Sequence, residues 1–387
     1  MKVGITGGAG FIGRHLIREL CRQIDGVEIR VLDSFDQQVH DRDSLVNFAL
    51  EFPQIEFRRG SVAEKSQCEW LVSDADVIFH LAAETGTGQS MYEMSKYTET
   101  NILGTANLLE AILRRGVPLE NFVLASSRSI YGEGTYGQCP GCGHIEHSAH
   151  RRSEENLRKG IFDVLCKLCG EALPHLPTRE DCIADPRSYY ALTKLSQEHQ
   201  IAICGQRVSK SNTIFRFQNV YGPGQSLKNP YTGILAIFSA LASAGSPINV
   251  FEDGLESRDF VWVGDVARVL VDSMSFDACA ETVTLNLGTG MPISVLEVAT
   301  SINRFYDDKS EIRVSGDFRI GDIRHNMSCT SALRAFGINT DAFLDFHTGL
   351  NEFLRSSHHE NDTMNKSFEV SMEEMRSYGL LISGPRN

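Results

Sequence analysis

Tyr190 and Lys194 stand four residues apart, a spacing that puts a phenol and an ammonium on one face of a helix. A neighbouring cation favours phenolate. The pair therefore predicts a Tyr190 pKa drawn down from about 10 toward neutrality, where the phenol becomes a usable general base. By itself this spacing is common on solvated helices. It gains meaning from Ser126-Ser127-Arg128-Ser129, which closes an apolar run at 121–125 and puts a hydroxyl, Ser127, where it could share a substrate proton with Tyr190.

A second chemistry lies at the start of the chain, in Gly7-Gly8-Ala9-Gly10-Phe11-Ile12-Gly13. Gly7 permits a tight bend, Gly10 lets backbone approach a pyrophosphate, and Gly13 lets a helix pack closely on the preceding strand. The helix opening at Phe11 and Ile12 offers free N–H groups and a positive dipole end to phosphates. The next strand, 27–32, ends in Asp33. A carboxylate there can accept both ribose hydroxyls and repels a 2′-phosphate, so NAD is expected rather than NADP.

The third is a pair of Cys-x-x-Cys-Gly knuckles, Cys139/Cys142 and Cys166/Cys169, separated by residues 143–165. Two such turns can close a tetrahedral four-thiolate zinc site, which would staple an insert too small for its own core. The gap is slightly longer than the usual ribbon spacing, and reduced free thiols are the alternative.

The elements that must position these groups follow βαβ order. Strands are expected at 3–6, 27–32, 55–58, 77–81, 121–125 and 213–217, with helices between them, including a long one at 91–115. Ligands of such a parallel sheet lie at the carboxyl ends of its strands. The pattern lapses between Gly132 and Pro186. The chain is 387 residues long, 42% apolar and 22% charged, with net charge −13. These values suit a soluble, cytoplasmic protein without a nucleic-acid partner. No apolar run has the length of a membrane span, and no leader is expected.

Taken together these segments resemble the extended short-chain dehydrogenases/reductases, in particular the nucleotide-sugar epimerases and dehydratases. The likeness runs from residue 1 to about 355, outside 132–186. It implies that Ser127 assists proton transfer, that Tyr190 is the base, and that Lys194 holds the nicotinamide ribose. It also implies that His80-Leu81-Ala82-Ala83 runs along the cofactor and that Asn101 braces the active-site helices. Asn219-Val220-Tyr221-Gly222-Pro223, Arg258-Asp259-Phe260 and Arg319-Ile320-Gly321-Asp322 resemble segments that hold a sugar-nucleotide diphosphate, a role suited to arginine's fixed fork of donors. Surface ion pairing is the plainer alternative for these arginines. Ser61-Val62 departs from the family, which usually has an acidic residue beside the adenine.

The wording of 84–90, 127–134 and 224–233, with Gly321-Asp322-Ile323-Arg324-His325, is most like the dTDP-L-rhamnose 4-epimerase subgroup. That implies contacts from Thr85 and Arg128 to the substrate. The expected fold is α/β: a Rossmann doubly wound parallel sheet, a smaller mixed α/β substrate lobe, and a zinc-ribbon-like insert. The expected division is a NAD-binding domain over 1–218 with the insert at 133–186, and a lobe over 219–264 and 288–355. Residues 265–287 return to the first domain, and 356–387 form a polar tail with a short helix at 372–378. The resemblance implies a homodimer through helices 91–115 and 188–204, and 4-epimerisation of a nucleotide-diphosphate sugar, dTDP-L-rhamnose or dTDP-6-deoxy-L-talose. A UDP-hexose 4-epimerase, a 4,6-dehydratase, an oxidoreductase and a non-catalytic NAD sensor are the rival readings.

Overall fold

The computed structural model describes residues 1–40, 43–226, 233–276, 282–357 and 364–384. Apolar alternation between turns gives seven parallel strands in one sheet. Their order is Thr282–Leu287, Ser209–Phe217, Leu119–Ser127, Val77–His80, Lys2–Thr6, Glu28–Asp33 and Glu56–Arg59. The order reverses between Lys2–Thr6 and Val77–His80, which opens a crevice at their carboxyl ends.

Helices cover both faces. Leu16, Ile17 and Leu20 of the helix Phe11–Gln23 pack with Val266, Val269 and Leu270 of Val263–Asp272 on one side. On the other side, Leu71, Leu108, Ile112 and Ile201 come from the helices Lys65–Val72, Gly104–Arg115 and Tyr189–Cys204. Burying each such side chain stabilises the fold by roughly 2 kcal/mol. The smaller lobe has its own core, built from the helices Ile234–Ser243 and Val295–Phe305 and from Phe346, Leu350 and Phe353 of a third helix. The doubly wound sheet with a smaller lobe is therefore the observed fold. Among the described residues no helix is long and apolar enough to cross a membrane.

Two elements differ from expectation. The helix expected over 91–115 is broken into a 3₁₀ turn Gln89–Met91, a helical turn Met94–Tyr97, a π-helical segment Thr98–Leu103 and the helix Gly104–Arg115. The π segment sets Asn101 inward, where its amide ties the backbone of Glu84 to Thr193 Oγ1. The tail, expected to be polar with a short helix at 372–378, carries more structure than that. It forms a helix Met364–Ser377 and a strand Leu381–Ile382 that pairs antiparallel with Phe318–Arg319. Met372, Met375 and Leu381 supply a small apolar cluster with Phe251, enough to dock a segment whose composition is otherwise polar.

Candidate active site

The glycine turn forms as its spacing requires. Gly7 has φ +69°, and a Cβ there would lie 2.8 Å from the Ala82 backbone nitrogen. At Gly13 a Cβ would meet the carbonyl oxygens of Gly7 and Gly8 at 2.6 and 2.5 Å. Gly10 precedes the helix Phe11–Gln23, so the first N–H groups of that helix face the crevice. Asp33, buried at its strand end, accepts from Ala9 N at 3.0 Å and Phe35 N at 2.9 Å. It thus locks the loop and its own turn, and it keeps lone pairs free for further donors.

The crevice is a cavity of about 510 Å³. Gly7, Gly10, Phe11, Ile12, Gly13, Leu81 and Ala83 line one end. Thr85, Ser127, Arg128, Tyr190, Lys194 and Asn219 line the other. Asp33, Ala82 and Asn101 are not part of its lining. Arg319 and Asp322 face a smaller hollow beside it, and Arg258 borders neither space. Residues 227–232 of the 224–233 segment lie outside the described residues.

Ser188 caps the helix of Tyr190 by accepting from Ala191 N at 3.1 Å, which places phenol and ammonium on the cavity side. The expected fall of the Tyr190 pKa is not found. Burial pushes it up, while the nearby Ser127 hydroxyl and the Arg128 guanidinium pull it down. The Lys194 ammonium lies 6.0 Å from the centre of the phenol ring and donates to the Ala125 carbonyl at 2.8 Å. Burial lowers Lys194 itself to about 7, opposed by Glu198. Desolvation is the largest influence on both groups.

Arg128 is pushed down to about 9 by burial and then by Arg258, a field that favours an anion between them. Arg258 donates to the backbone carbonyls of Ser257 at 2.8 Å and Arg324 at 3.3 Å. Its strand is held by Asp259, which accepts from Thr289 N, Gly290 N and Ser328 N. Arg319 is clamped by Asp322 at 2.8 Å over the ring of Phe251. Asn219 Oδ1 and Gln225 Oε1 are buried beside the cavity without a hydrogen-bond partner among the described residues, a fit for a polar ligand.

Residues 3–154 and 164–288 match the model of the NAD dependent epimerase/dehydratase family. The chain belongs to that family.

The chain is 37% identical over 327 residues to a dTDP-L-rhamnose 4-epimerase of Burkholderia thailandensis, covering 84% of this chain and 86% of that one. It also resembles the UDP-glucose 4-epimerase of Thermotoga maritima solved with UDP-glucose: TM-score 0.70, 25% identity, 92% of this chain and 98% of the other. The Thermus thermophilus UDP-glucose 4-epimerase solved with NAD gives TM-score 0.67 at 25% identity, covering 93% and 100%.

The candidate site rests on buried polar networks whose partners lie far apart in the chain. His80 bridges Thr6 Oγ1 at 2.7 Å and Thr105 Oγ1 at 2.9 Å, and burial holds its pKa at about 3. Glu198 accepts from Ser126 Oγ and pairs with Arg216 at 2.8 Å, and Arg216 donates to Tyr131 Oη at 2.8 Å. This network backs the Ser127 strand and the Tyr190 helix together. A hint was available in sequence, since polar residues inside an apolar strand or on a packed helix face need partners.

The insert 133–186 is bolted to the lobe. Arg152 pairs with Glu133 and Glu252 at 2.8 Å, and Arg324 pairs with Glu252 at 3.3 Å and Asp253 at 2.6 Å. Within the insert, Gly143 N donates to Cys139 O and Gly170 N to Cys166 O, both at 2.9 Å. These turns bring the sulfurs of Cys139, Cys142, Cys166 and Cys169 within 4.8 Å of one another. Among the described residues no cysteine is in a disulfide.

Proposed function

We propose that this chain is a NAD-dependent nucleotide-sugar 4-epimerase acting on a 6-deoxyhexose such as dTDP-L-rhamnose or dTDP-6-deoxy-L-talose. One observation carries the reading. The large cavity brings together Ser127, Tyr190 and Lys194, and among the described residues no aspartate or glutamate lines it. A proton can therefore leave and rejoin a sugar hydroxyl. Eliminating a 6-hydroxyl instead needs an acid for the leaving group and a base at C5. Arg128 and Ser129 occupy the positions after Ser127, and neither is suited to those roles near neutral pH.

Bound NAD supplies the hydride acceptor that converts the 4-hydroxyl carbon to a ketone, and the donor that restores it. Tyr190 Oη takes the hydroxyl proton, with Ser127 Oγ as its relay. Lys194 steadies the phenolate and the nicotinamide ribose. The glycine turn and the N–H groups of Phe11 and Ile12 hold the pyrophosphate. Asp33 takes the adenosine ribose, while Leu81, Ala82 and Ala83 run along the cofactor with Asn101 bracing them. Thr85, Asn219 and the field of Arg128 and Arg258 hold the sugar nucleotide, with Arg319 and Asp322 at its edge. Turning of the sugar while its diphosphate stays held would present the opposite face of C4, so that restoring the hydroxyl would invert that centre.

The 37% identity to a dTDP-L-rhamnose 4-epimerase supports this choice of sugar. The test is incubation with dTDP-, UDP- and GDP-sugars in deuterated water, read by NMR. Inversion at C4 without solvent label on carbon is expected. Deuterium at C5 or C6, or a 4-keto-6-deoxy product from a hexose, would overturn the reading.

Two structural readings accompany it. Cys139, Cys142, Cys166 and Cys169 are proposed to hold one structural zinc. Zinc–sulfur bonds of about 2.3 Å put tetrahedral sulfurs about 3.8 Å apart. The Cys139–Cys169 and Cys142–Cys166 pairs stand at 3.4 and 3.7 Å. Two copies are proposed to pair through the helices Gly104–Arg115 and Tyr189–Cys204. Leu103, at the end of the π segment before the first helix, and Leu192 and Ile203 of the second are 47%, 46% and 74% exposed, apolar surface a partner would cover.

A further inference from the structure

His15 stands one turn into the helix Phe11–Gln23 and reaches a residue 208 positions away, its Nε2 lying 2.9 Å from the Pro223 carbonyl oxygen. A carbonyl oxygen only accepts, so Nε2 carries the hydrogen, and in a neutral ring Nδ1 is then bare. Burial is the main influence on this imidazole and pushes its pKa down, which favours the neutral form. The ring of Phe11 meets it edge-on, 5.9 Å between centroids, and Phe11 itself lines the cavity. His15 is not part of that lining.

Pro223 belongs to a turn that carries part of the opposite wall. The strand Asn219–Tyr221 pairs parallel with residues 260–262, which fixes the start of the turn to the smaller lobe. Gln225 N donates to Gly222 O at 3.3 Å and closes the turn. Gly222 has φ +149°, and a Cβ there would lie 2.5 Å from Val263 Cγ1. Pro223 has no N–H, so its carbonyl is the one backbone group it can offer to the helix.

Asn219, Gly224, Gln225 and Ser226 of this segment line the cavity. The side-chain oxygens Asn219 Oδ1 and Gln225 Oε1 are buried with no donor among the described residues. On its other side the Gln225 amide is closely packed, since a Cβ on Gly233 would lie 3.1 Å from Nε2. Amide oxygens left free in this way accept from hydroxyl or imide N–H groups, and a pyrimidine-nucleotide sugar carries both.

We propose that His15 is a positioning residue: by holding the Pro223 carbonyl it sets the turn 222–225 against the cofactor helix, so that Asn219 and Gln225 stand ready for a nucleotide sugar. This rests on the reading of the cavity as a site for NAD and a nucleotide sugar, and adds the residue that fixes one wall relative to the other. A turn ordered beforehand loses less freedom when the ligand arrives. Without the bond the turn is held from the lobe side alone. Affinity for the sugar nucleotide should then suffer more than the chemical step.

The test compares His15→Phe, which keeps a ring beside Phe11 but has no donor, with His15→Gln, whose amide nitrogen can restore one. Full-length wild type and variants are loaded with NAD, and the NAD released by denaturation should be equal in all three. Hydrogen exchange of peptides covering 219–226 should quicken about fivefold or more in His15→Phe and stay within about twofold of wild type in His15→Gln. Calorimetry with dTDP-L-rhamnose and UDP-glucose should show the tighter of the two weakened about tenfold in His15→Phe, with kcat within about threefold. His15→Gln should recover most of that loss. Unchanged exchange or unchanged affinity in His15→Phe overturns the inference and leaves the epimerase reading standing. Loss of NAD or of thermal stability in both variants, with no repair by glutamine, also overturns it, because it marks a purely structural contact. If wild type binds neither sugar nucleotide, the functional reading and the inference fall together.

Discussion

Tyr190 carries the largest consequence of any single atom in the site. Tyr190→Phe removes only the oxygen that moves the proton and leaves the ring packed edge-on against Tyr97, 6.4 Å between centroids. Turnover should fall by 10² to 10⁴ or more while NAD content is unchanged. NMR turnover, with cofactor released by denaturation, checks both. Near-normal activity would remove Tyr190 from its role. Asp33 is tested by Asp33→Ser, which should weaken NAD and relax the bias against NADP. The same change deletes two backbone hydrogen bonds, to Ala9 and Phe35, and costs about 1 kcal/mol for each. Equal NAD and NADP affinity in the unmutated protein would show that the carboxylate does not discriminate.

At the scale of elements, the insert joins two kinds of fastening. The four thiols organise its knuckles, while Arg152, Glu133, Glu252 and Arg324 dock it to the lobe with almost no exposed side-chain surface. Freshly purified protein should contain one zinc per chain, measured by elemental analysis. Chelation, or Cys142→Ser, should expose 133–186 to limited proteolysis before the seven-stranded sheet is cut. Protein without zinc whose insert is equally protected would count against the metal. The docking network should hold the insert's outer end near the lobe even when the knuckles loosen, because breaking a buried pair by removing one partner costs about 3–5 kcal/mol.

Across the whole molecule, stability depends on keeping buried imidazoles neutral. The rings of His175 and His325 lie 5.3 Å apart, tilted by 45°, where the insert meets the lobe, and burial lowers each to about 4. An unfolded histidine takes its proton near 6.5, so between 6.5 and 4 the unfolded chain holds more protons and stability falls as pH falls. Glu256, raised to about 7 by burial, acts in the opposite sense between 7 and 4.5, since there the folded chain takes its proton first. His175→Phe removes one proton from the imidazole linkage. Its stability should therefore fall less steeply on acidification than that of wild type, by about 1.4 kcal/mol per pH unit. Urea titrations at pH 6.5, 5.5 and 4.5 decide this, and parallel curves would refute it. The dimer is read by solution scattering: Leu192→Glu with Ile203→Glu should give monomers where wild type gives dimers. A wild-type monomer at micromolar concentration would end that reading.

Local chemistry was legible in the chain because local physics sets it. Gly7, Gly10 and Gly13 each answer a steric demand within one turn of backbone, Tyr190 and Lys194 share a face through helical periodicity, and Asp33 ends its strand because strand and loop lengths are short. The knuckles at Cys139 and Cys166 are equally local. Tertiary structure decided what depends on distant partners. Burial, not the nearby cation, governs Tyr190 and Lys194, since desolvation depends on everything packed around them. The partners Arg152 with Glu252, Arg216 with Glu198, and His80 with Thr105 lie too far apart in the chain for any spacing to pair them. The π segment at Thr98–Leu103 follows from Asn101 reaching Glu84 and Thr193. The docked tail follows from Met375, Tyr378 and Leu381 finding Gly88, Tyr92 and Arg319, contacts that exist only once both sides of the cleft have formed.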